Sequence, residues 1–438
     1  MVLTLNALFT QTPEYLRAVA HGFVFLLSET WPLLAFLALT PIATGLFRYL
    51  HQLRYRQSKN YVVLELLIPR EILKSPRGME QVLRALHSLR VSSSELYDKY
   101  ITGLTTDPKI SLEVVSFGGE IHFFVRVSDR QVGLVESAFF SYYPDVELIQ
   151  VEDYTKRFPQ NYAGIREAGL EMFGTEYLLS KEAAYPIKTY LDFEAPEEGL
   201  QFDPISSLLE VFGKIAKGYT LALQFVIVPA GKWTEEFADV VKELREDKTK
   251  KEGALGGILL KSPGQLNTLK AVEENLTRPA FDTVIRSFLI GPNTDSFRGL
   301  GFTFVFGGIL GVLNQYAMLN LNSFKPSGKV TPNLRPHKAP FFRKSRVNLR
   351  AERLIHSYFV REIPEPTVTG KILTSHPLQW NIYSESFPLT STSLATLFHP
   401  PMNLVLTAPY IKRVESRRAG PPAGLPIFGE ENVLDKFR

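Results

Sequence analysis

The sequence predicts an α+β protein in which an N-terminal transmembrane helix is followed by a ferredoxin-like βαββαβ domain and a second, related α+β domain. Three observations lead to this fold class: an uncharged apolar run near the N-terminus, a βαββαβ pattern after it, and a looser repetition of that pattern. The 438 residues divide accordingly into five predicted regions. They are a membrane anchor at 1–58, a ferredoxin-like domain at 59–160, a second α+β domain at 177–324, a basic linker with a small mixed α/β region at 325–400, and a Pro-rich tail at 401–438.

The anchor is predicted from its apolar composition. No charged residue occurs from Trp31 to Phe47, and the stretch at about 30–50 has the roughly 20 residues that a helix needs to cross a bilayer. Pro41 lies inside this span and predicts a kink, whereas Pro32 suits the first helical turn. An upstream apolar stretch, Ala18 to Leu27, extends the span, lies in the membrane interface or forms half of a hairpin. A buried core helix is the alternative to an anchor.

Flanking charge predicts the orientation of the anchor. The basic residues that follow the apolar run are Arg48, Arg54, Arg56 and Lys59. Before the run, Arg17 is offset by acidic residues. The positive-inside rule therefore places the chain from Tyr61 onward in the cytoplasm. We expect a single-pass protein of the inner, cytoplasmic membrane, with the lipid bilayer as its first partner.

The ferredoxin-like domain is predicted from alternating strand and helix signals. Apolar, β-prone segments predict strands at 61–69, 110–116, 121–127 and 146–151. Ser75-Pro76 opens a helix between the first two strands, and Asp129 caps a second helix after the third strand. Gly118 and Gly119 separate the middle strands and predict a hairpin. The resulting order is that of the ferredoxin-like fold.

The second domain repeats this pattern more loosely. Strands are predicted at 185–193, 219–228 and 283–290, with helices from Asp203-Pro204 and Ser262-Pro263. We interpret the pattern as a duplication, with an unrelated α+β domain as the alternative. Residues 299–324 carry no charge and resemble a second membrane span, but their asparagines and glycines argue against exposure to lipid. Membrane contact by this stretch, through packed glycines, remains an alternative.

Composition and motifs exclude several kinds of chemistry. The chain has no cysteine, which excludes disulfides, a thiol nucleophile, zinc fingers and iron–sulfur clusters. The glycine-rich stretch 253–262 lacks the Gly-Lys-Ser/Thr of a P-loop, because Leu260 precedes Lys261. His122 on a predicted strand is interpreted as a core or surface histidine. We predict no catalytic residue, no cofactor and no metal site, and therefore no enzyme.

A basic segment from Arg335 to Arg353 is the candidate binding feature. The 49 basic and 45 acidic residues give a net charge of only +4, so a local cluster matters more than the total. The candidate residues for binding nucleic acid or a partner are Arg335, Lys338, Phe341, Phe342, Arg343, Lys344, Arg346 and Arg350. Basic side chains with aromatic ones suit a single strand of nucleic acid, anionic lipid headgroups or an acidic partner. A solvated linker is the alternative interpretation.

Several stretches carry a resemblance to a known family. They are Ile68-Pro69-Arg70-Glu71, Ser75-Pro76 with Met79-Glu80 and Ala85-Leu86-His87, Ser116 to Glu120 with His122-Phe123, Val135 to Pro144, Ser393 to Pro400, Val414 to Arg418, and Pro421-Pro422. Together they resemble the N-terminal region of type IV secretion/conjugation-like ATPase proteins of candidate-phylum bacteria, over roughly 61–426. In that family a membrane segment precedes this region, and a HerA/FtsK-type translocase domain commonly follows it. The resemblance implies a membrane module without its motor, because the chain ends at Arg438, where the P-loop domain of the family would begin.

We therefore expect a non-catalytic, membrane-anchored component of a type IV secretion/conjugation-like machine that translocates DNA or protein and docks a HerA/FtsK-type ATPase. DNA and a second copy of the chain are further expected partners. The alternatives are a module that binds single-stranded nucleic acid and an envelope scaffold protein.

Overall fold

The computed structural model describes residues 14–57, 59–69, 75–89, 109–193, 203–231, 233–245, 262–332, 341–364, 384–402 and 413–414. The P-loop-like stretch 253–262 lies outside these residues except for Ser262, and so does the predicted tail except for 401–402 and 413–414. Internal contacts divide the chain into two units: 1–60 with 91–107 and 364–383, and the remainder. The mixed α+β class is confirmed.

In the first unit, one long helix contains the whole of the span predicted at about 30–50. Helix α1 (Glu14–Gln57) has 44 residues and includes both prolines. It bends by 44° between His21–Leu33 and Ala35–Phe47. The bend lies next to Pro32, and Pro41 falls within the second half, Ala35–Phe47. Because α1 begins at Glu14, Pro32 is an interior residue, so the prediction that it occupies the first turn was wrong; an interior proline removes one helical hydrogen bond and favours a bend.

The second unit begins with four strands and two helices. They are β1 (Tyr61–Pro69), α2 (Arg77–His87), β2 (Ile110–Phe117), β3 (Glu120–Ser128), α3 (Val132–Tyr142) and β4 (Glu147–Val151). The strands pair in the order β4–β1–β3–β2, and every pair is antiparallel. Gly118 and Gly119 form the β2–β3 turn with positive φ values of 60° and 99°, as the hairpin prediction requires.

A second set of elements follows. It comprises α4 (Tyr162–Glu167), β5 (Leu170–Leu179), α5 (Ser206–Gly213), β6 (Thr220–Pro229), α6 (Ala238–Arg245), α7 (Pro263–Leu276), β7 (Ala280–Pro292), α8 (Phe297–Tyr316) and β8 (Phe324–Pro326). These strands pair antiparallel in the order β8–β5–β7–β6. The strand predicted at 185–193 is wrong, since that stretch contains turns and a 3₁₀ helix, Tyr190–Asp192. The strand that occupies the corresponding place is β5.

Strands β2 and β6 join the two sets into one continuous sheet. They pair antiparallel from Ile110 with Ile227 to Phe117 with Thr220. Two later strands, β9 (Phe387–Thr390) and β10 (Arg413–Val414), pair with β7 and β1. A short helix, α10 (Ser391–Leu397), follows β9 directly.

Both faces of the sheet are covered. Helices α2, α3, α5 and α8 contribute to an apolar core on one face. Helix α9 (Arg343–Val360) packs on the other face, where Leu354, Ile355 and Tyr358 join a second apolar cluster. Residues 343–353 of the basic segment are thus helical and partly buried, so the alternative of a solvated linker was wrong for this part of the segment.

Two parts of the described chain are long and apolar enough to cross a membrane. One is α8, whose most apolar 18 residues are 33% buried. The other is α1, if its two bent halves count as a single span. In α8 the segment Phe302–Ile309 is a π-helix. Val305 and Ile309 of that segment are buried against the sheet, which places α8 among the core helices of this unit.

Candidate functional site

A row of polar side chains crosses the centre of the sheet on the face that α9 covers. Residues that pair across neighbouring strands lie on the same face of the sheet. Followed from β1 to β5, the paired residues of this row are Glu65, Phe124, Glu113, Gln224, Arg286 and Glu176. Each of these side chains is buried or nearly so. Charged groups in such a place require partners, because burial without compensation is costly.

Arg361 provides the main compensation for the first half of the row. It caps the C-terminus of α9 with a left-handed φ of 54° and is 0% exposed. Its Nε donates to Glu113 Oε1 at 2.9 Å and its Nη2 to Glu113 Oε2 at 3.2 Å. The same guanidinium donates to Asp153 at 2.5 and 3.0 Å and to the carbonyl of Phe359 at 2.9 Å. Arg361 therefore ties the end of α9 to β2 and to the chain after β4.

Glu113 is the acceptor at the centre of this network. Ser111 and Tyr154 donate to it at 2.5 Å, and Gln224 donates at 3.2 Å. The Tyr154 hydroxyl donates its one hydrogen bond to Glu113. Tyr358, whose oxygen lies 2.5 Å from that of Tyr154, must therefore be the donor in the bond between the two tyrosines. Burial alone would raise the pKa of Glu113, but the charge and hydrogen bonds of Arg361 lower it. The carboxylate is consequently ionised and fully compensated.

Glu176 and Arg286 form the second buried pair. Arg286 Nε lies 2.7 Å from Glu176 Oε1, and both side chains are 0% exposed. Ser384 donates to the same carboxylate oxygen at 2.6 Å. Within the part of the chain that the structure describes, Nη1 and Nη2 of Arg286 have no hydrogen-bond partner. This pair is enclosed between β5, β7 and Ser384, three positions before β9, so it holds elements together and offers no open surface.

An open cleft of about 250 Å³ lies at the other end of the row. Its floor holds Glu65 and His122, whose Oε1 and Nδ1 atoms are 2.6 Å apart. Phe117 forms one wall, and the guanidinium of Arg157 lies 4.9 Å from the centre of its ring. His122 is thus neither a core nor a freely exposed side chain, because a largely buried carboxylate fixes its ring at the edge of a cleft. Among the described residues, no group of three or more side chains could hold a metal ion.

The basic segment separates into exposed and structural residues. Phe341 and Phe342 are 74% exposed at the start of α9, and Lys344 is exposed beside them. Arg343 and Arg346 are half-buried. Two further candidates, Arg335 and Lys338, lie outside the described residues.

Arg350 is buried, so its assignment as a binding residue was wrong. Its Nη1 donates to the carbonyls of Gly328 and Thr331 at 2.9 and 3.0 Å. Burial lowers the pKa of Arg350 to about 10. This side chain closes the loop after β8 against α9 and cannot reach a phosphate on the surface.

A second buried cluster holds the segment that follows α10. Asp203 accepts hydrogen bonds from the backbone of Ile205 at 3.0 Å and of Met402 at 2.7 Å. His399 Nε2 lies 2.8 Å from Asp203, and its Nδ1 lies 2.7 Å from the carbonyl of Ala395. Both ring nitrogens of His399 therefore lie within hydrogen-bond distance of an oxygen of the body. Burial would raise the pKa of Asp203, but the charge of His399 lowers it.

Residues 50–298 match a family model described as a domain of unknown function, DUF8128. The match covers more than half of the 438 residues. The chain belongs to the DUF8128 family. No curated protein matches the chain.

The DUF8128 region covers only part of these clusters. It contains the Glu65–His122 pair together with Glu113 and Asp203, but it ends at residue 298, before the segments that carry the charged partners of Glu113 and Asp203. Arg361 and His399 complete the two buried networks from outside the DUF8128 region. Sequence reasoning missed both residues. A lone arginine after a basic helix carries no local signal of burial. His399 did have such a signal, because it follows a short apolar helix that Pro400 and Pro401 end abruptly.

Proposed function

We propose that the chain is a non-catalytic, membrane-anchored component of a type IV secretion/conjugation-like translocation machine. In this proposal α1 crosses the inner membrane once, and the sheet body lies in the cytoplasm and serves as a rigid platform. The observation that carries the proposal is α1 itself. Large apolar side chains remain 59–67% exposed along it, among them Phe25, Trp31, Phe36 and Phe47.

The length and composition of α1 suit a bilayer. At 1.5 Å per residue its 44 residues extend over about 66 Å, which exceeds the hydrocarbon thickness of about 30 Å. Soluble monomers rarely expose contiguous apolar surface of this size. Lipid would remove this surface from water, and the basic residues after Leu50 would stay on the cytoplasmic side.

The strand pairing supports the proposal of two ferredoxin-like repeats. The order β4–β1–β3–β2 in the first half corresponds to β8–β5–β7–β6 in the second. Each half also places a helix after its first strand and another after its third. We infer that the body arose by duplication, with the two repeats joined edge to edge through β2 and β6.

The role in a translocation machine rests on the resemblance to the type IV secretion/conjugation-like proteins and on the segment after α10. In those proteins the corresponding stretch immediately precedes the motor domain. Here Ser391 to Met402 is buried in the body and held at Asp203. Residues after Met402 would then reach a HerA/FtsK-type ATPase from a fixed exit point.

Alkaline carbonate extraction of cell membranes tests the anchor. We expect the full chain to remain in the membrane pellet, since no peripheral contact survives this treatment. The variant Leu37→Lys/Leu39→Lys should lose membrane insertion, because two charges at the centre of the span are costly. Leu134→Lys is the matched control, since Leu134 is 56% exposed on α3 of the body. Recovery of the unaltered chain in the soluble fraction would refute the proposal.

Affinity purification from cross-linked membranes tests the docking role. We expect a P-loop translocase to co-purify with the full chain and to be lost when residues 403–438 are deleted. A variant with a scrambled 403–438 sequence of the same composition controls for charge. Retention of the translocase by both variants would exclude docking through the tail.

A further inference from the structure

The open cleft at the Glu65 end of the polar row offers polar groups to a small ligand. Its volume of about 250 Å³ lies below the roughly 300–1,000 Å³ of sites for drug-sized molecules. The cleft therefore suits a small molecule or a single side chain of a partner.

Three carboxylates line the cleft, and each lies against a basic side chain. The pairs are Glu65 with His122, Glu152 with Lys156, and Asp153 with Arg361. Arg157 also lines the cleft, and the described residues place no carboxylate within salt-bridge distance of it. One positive charge without a carboxylate favours a ligand that carries one negative charge.

An aromatic contact holds Arg157 and leaves its donors available. The centre of its guanidinium lies 4.9 Å from the centre of the Phe117 ring, and the side chain is otherwise exposed. Such a contact engages none of the five N–H donors of the group. Two parallel N–H donors of a guanidinium match the two oxygens of a carboxylate. Arg157 is thus placed to bind a carboxylate through both of its oxygens.

His122 supplies a second polar group beside the same ring. Its ring centre lies 5.3 Å from that of Phe117, so one small ligand can reach both His122 and Arg157. Nδ1 of His122 lies 2.6 Å from Glu65, whereas Nε2 lies 3.6 Å from Glu120, beyond hydrogen-bond distance. With Glu65 accepting from Nδ1, the protonated ring can donate from Nε2 to an oxygen of a ligand.

We propose that the cleft binds a carboxylate on a small apolar stem, with the carboxylate paired to Arg157 and hydrogen-bonded by His122. Phe117 and Val151 provide apolar surface for the stem. Glu65 is a positioning residue, since it holds the imidazole through Nδ1. The carboxylate belongs either to a free organic acid or to an acidic side chain of a partner protein. All these contacts lie within the sheet body, so the site does not depend on the proposed membrane anchor.

Charge argues against phosphate as the ligand. A phosphate monoester carries close to two negative charges, and the three carboxylates of the lining oppose the second. A strand of nucleic acid presents a row of phosphates. Within the described part of the chain, this lining contains a single cation that has no carboxylate partner, which suits one anionic group.

Isothermal titration calorimetry of the full chain in detergent tests the site with phenylacetate as the ligand. Phenylacetamide has the same stem without the charge and is the matched control ligand. A second arm uses the acetylated and amidated peptide Gly-Phe-Glu-Gly, which carries the carboxylate on a side chain. Inorganic phosphate and a short single-stranded oligonucleotide are the further probes.

We expect phenylacetate to bind with a Kd of about 1 mM or lower, and phenylacetamide at least about tenfold more weakly. Arg157→Met should weaken the binding of phenylacetate at least about tenfold. Arg166→Met is the matched control variant and should not weaken it, because Arg166 is likewise an exposed arginine beside an aromatic ring, that of Tyr162, but lies outside the cleft.

The dependence of binding on pH tests the part played by His122. The charged and titratable groups around its ring and the cleft are Glu65, Glu120, Glu152, Asp153, Tyr154, Lys156 and Arg157. Histidines ordinarily gain their charge between about pH 8 and pH 6, whereas phenylacetate stays ionised over this range. We expect phenylacetate to bind more tightly at pH 6 than at pH 8 in the unaltered chain, and this difference to be lost in His122→Gln.

Tighter binding of phenylacetate assigns the site to a free acid, and tighter binding of the peptide assigns it to a partner protein. Equal affinity for phenylacetate and phenylacetamide would overturn the proposal, and so would unchanged affinity in Arg157→Met. An absence of saturable binding by both phenylacetate and the peptide up to about 10 mM would also overturn it. Binding of phosphate or the oligonucleotide without either carboxylate would assign the cleft to phosphate chemistry instead.

Discussion

Replacing Arg361 by methionine should destabilise the sheet body more than any substitution on its surface. The change removes two hydrogen bonds to Glu113, two to Asp153 and one to the carbonyl of Phe359. Methionine fills similar volume, so the loss is mainly electrostatic. The end of α9 would lose its attachment to β2. Glu113 would lose its ion-pair partner, whereas Asp153 would keep Arg126, whose Nε lies 4.0 Å away.

The magnitude follows from the burial of the two carboxylates. Asp153 keeps partial access to solvent, with a side chain 20% exposed, and retains the hydrogen bonds from Thr155. Glu113 is 0% exposed and would retain only neutral donors. Removing one partner of a buried ion pair costs about 3–5 kcal/mol. We expect Arg361→Met to lower the free energy of unfolding by about this amount, with most of it due to Glu113.

Urea unfolding of the chain in detergent, followed by fluorescence, measures the loss. A double-mutant cycle with Glu113→Gln isolates the pair, and the double variant should recover about 2 kcal/mol relative to Arg361→Met. Lys214→Met is the control, because Lys214 pairs with Glu210 at 2.9 Å on the surface and should change stability by less than about 1 kcal/mol. A loss below about 1 kcal/mol for Arg361→Met would refute the reasoning.

Three further predictions concern the same body. The pKa of Glu113 in the folded state is lowered from 4.5, so its contribution to stability is present above pH 4.5 and is lost as the pH falls through the lower folded value. We expect the free energy of unfolding to fall less steeply with acid pH in Arg361→Met than in the unaltered chain. Gly174→Ala places a Cβ 2.6 Å from a backbone oxygen of β7 and should lower the free energy of unfolding by about 1–3 kcal/mol in thermal unfolding. Gly264→Ala in α7, where a Cβ would meet nothing within 4 Å, should raise it by up to about 1 kcal/mol. Asp203→Ala leaves two backbone N–H groups without their acceptor and should abolish protection of those amides in hydrogen exchange, and persistent protection would contradict the assigned bonds.

The first half of the body could be predicted because its signals are local. The strand β1 reads YVVLELLIP, and the two glycines of the β2–β3 turn identify a hairpin without knowledge of tertiary contacts. Helix caps were predicted with mixed success. Ser262 forms the capping box expected of a helix start, but the N-caps of α2 and α3 are Pro76 and Gln131 instead of the predicted Ser75 and Asp129, and neither makes a side-chain cap hydrogen bond. Pairing of β4 with β1 then follows from the order of these elements.

The second half was harder because its local signals compete. β5 reads LEMFGTEYLL, and its glutamates and glycine weaken a strand prediction. Glu176 is nevertheless buried there, compensated by Arg286, and Gly174 makes room for Leu354. The stretch 185–193 contains β-prone residues such as Ile187 and Tyr190 but forms turns and a 3₁₀ helix. The backbone N–H of Lys188 donates to the carbonyl of Tyr316 instead of to a neighbouring strand.

The candidate site depended on pairs that are distant in sequence. Arg361 and Glu113 are 248 positions apart, and His399 and Asp203 are 196 apart. No local pattern distinguishes a basic side chain that will be buried from one that stays in solvent. The basic segment was therefore predicted as a single surface, although Arg350 belongs to the core.

Single-cysteine labelling tests the central claim, a single crossing by α1, most directly. The chain has no cysteine, so Glu14→Cys and Asn60→Cys each introduce a unique thiol on one side of the proposed span. In intact spheroplasts, a membrane-impermeant maleimide should label position 14 and not position 60, and detergent should expose both. Labelling of position 60 without detergent, or of neither position with membranes intact, would contradict the account.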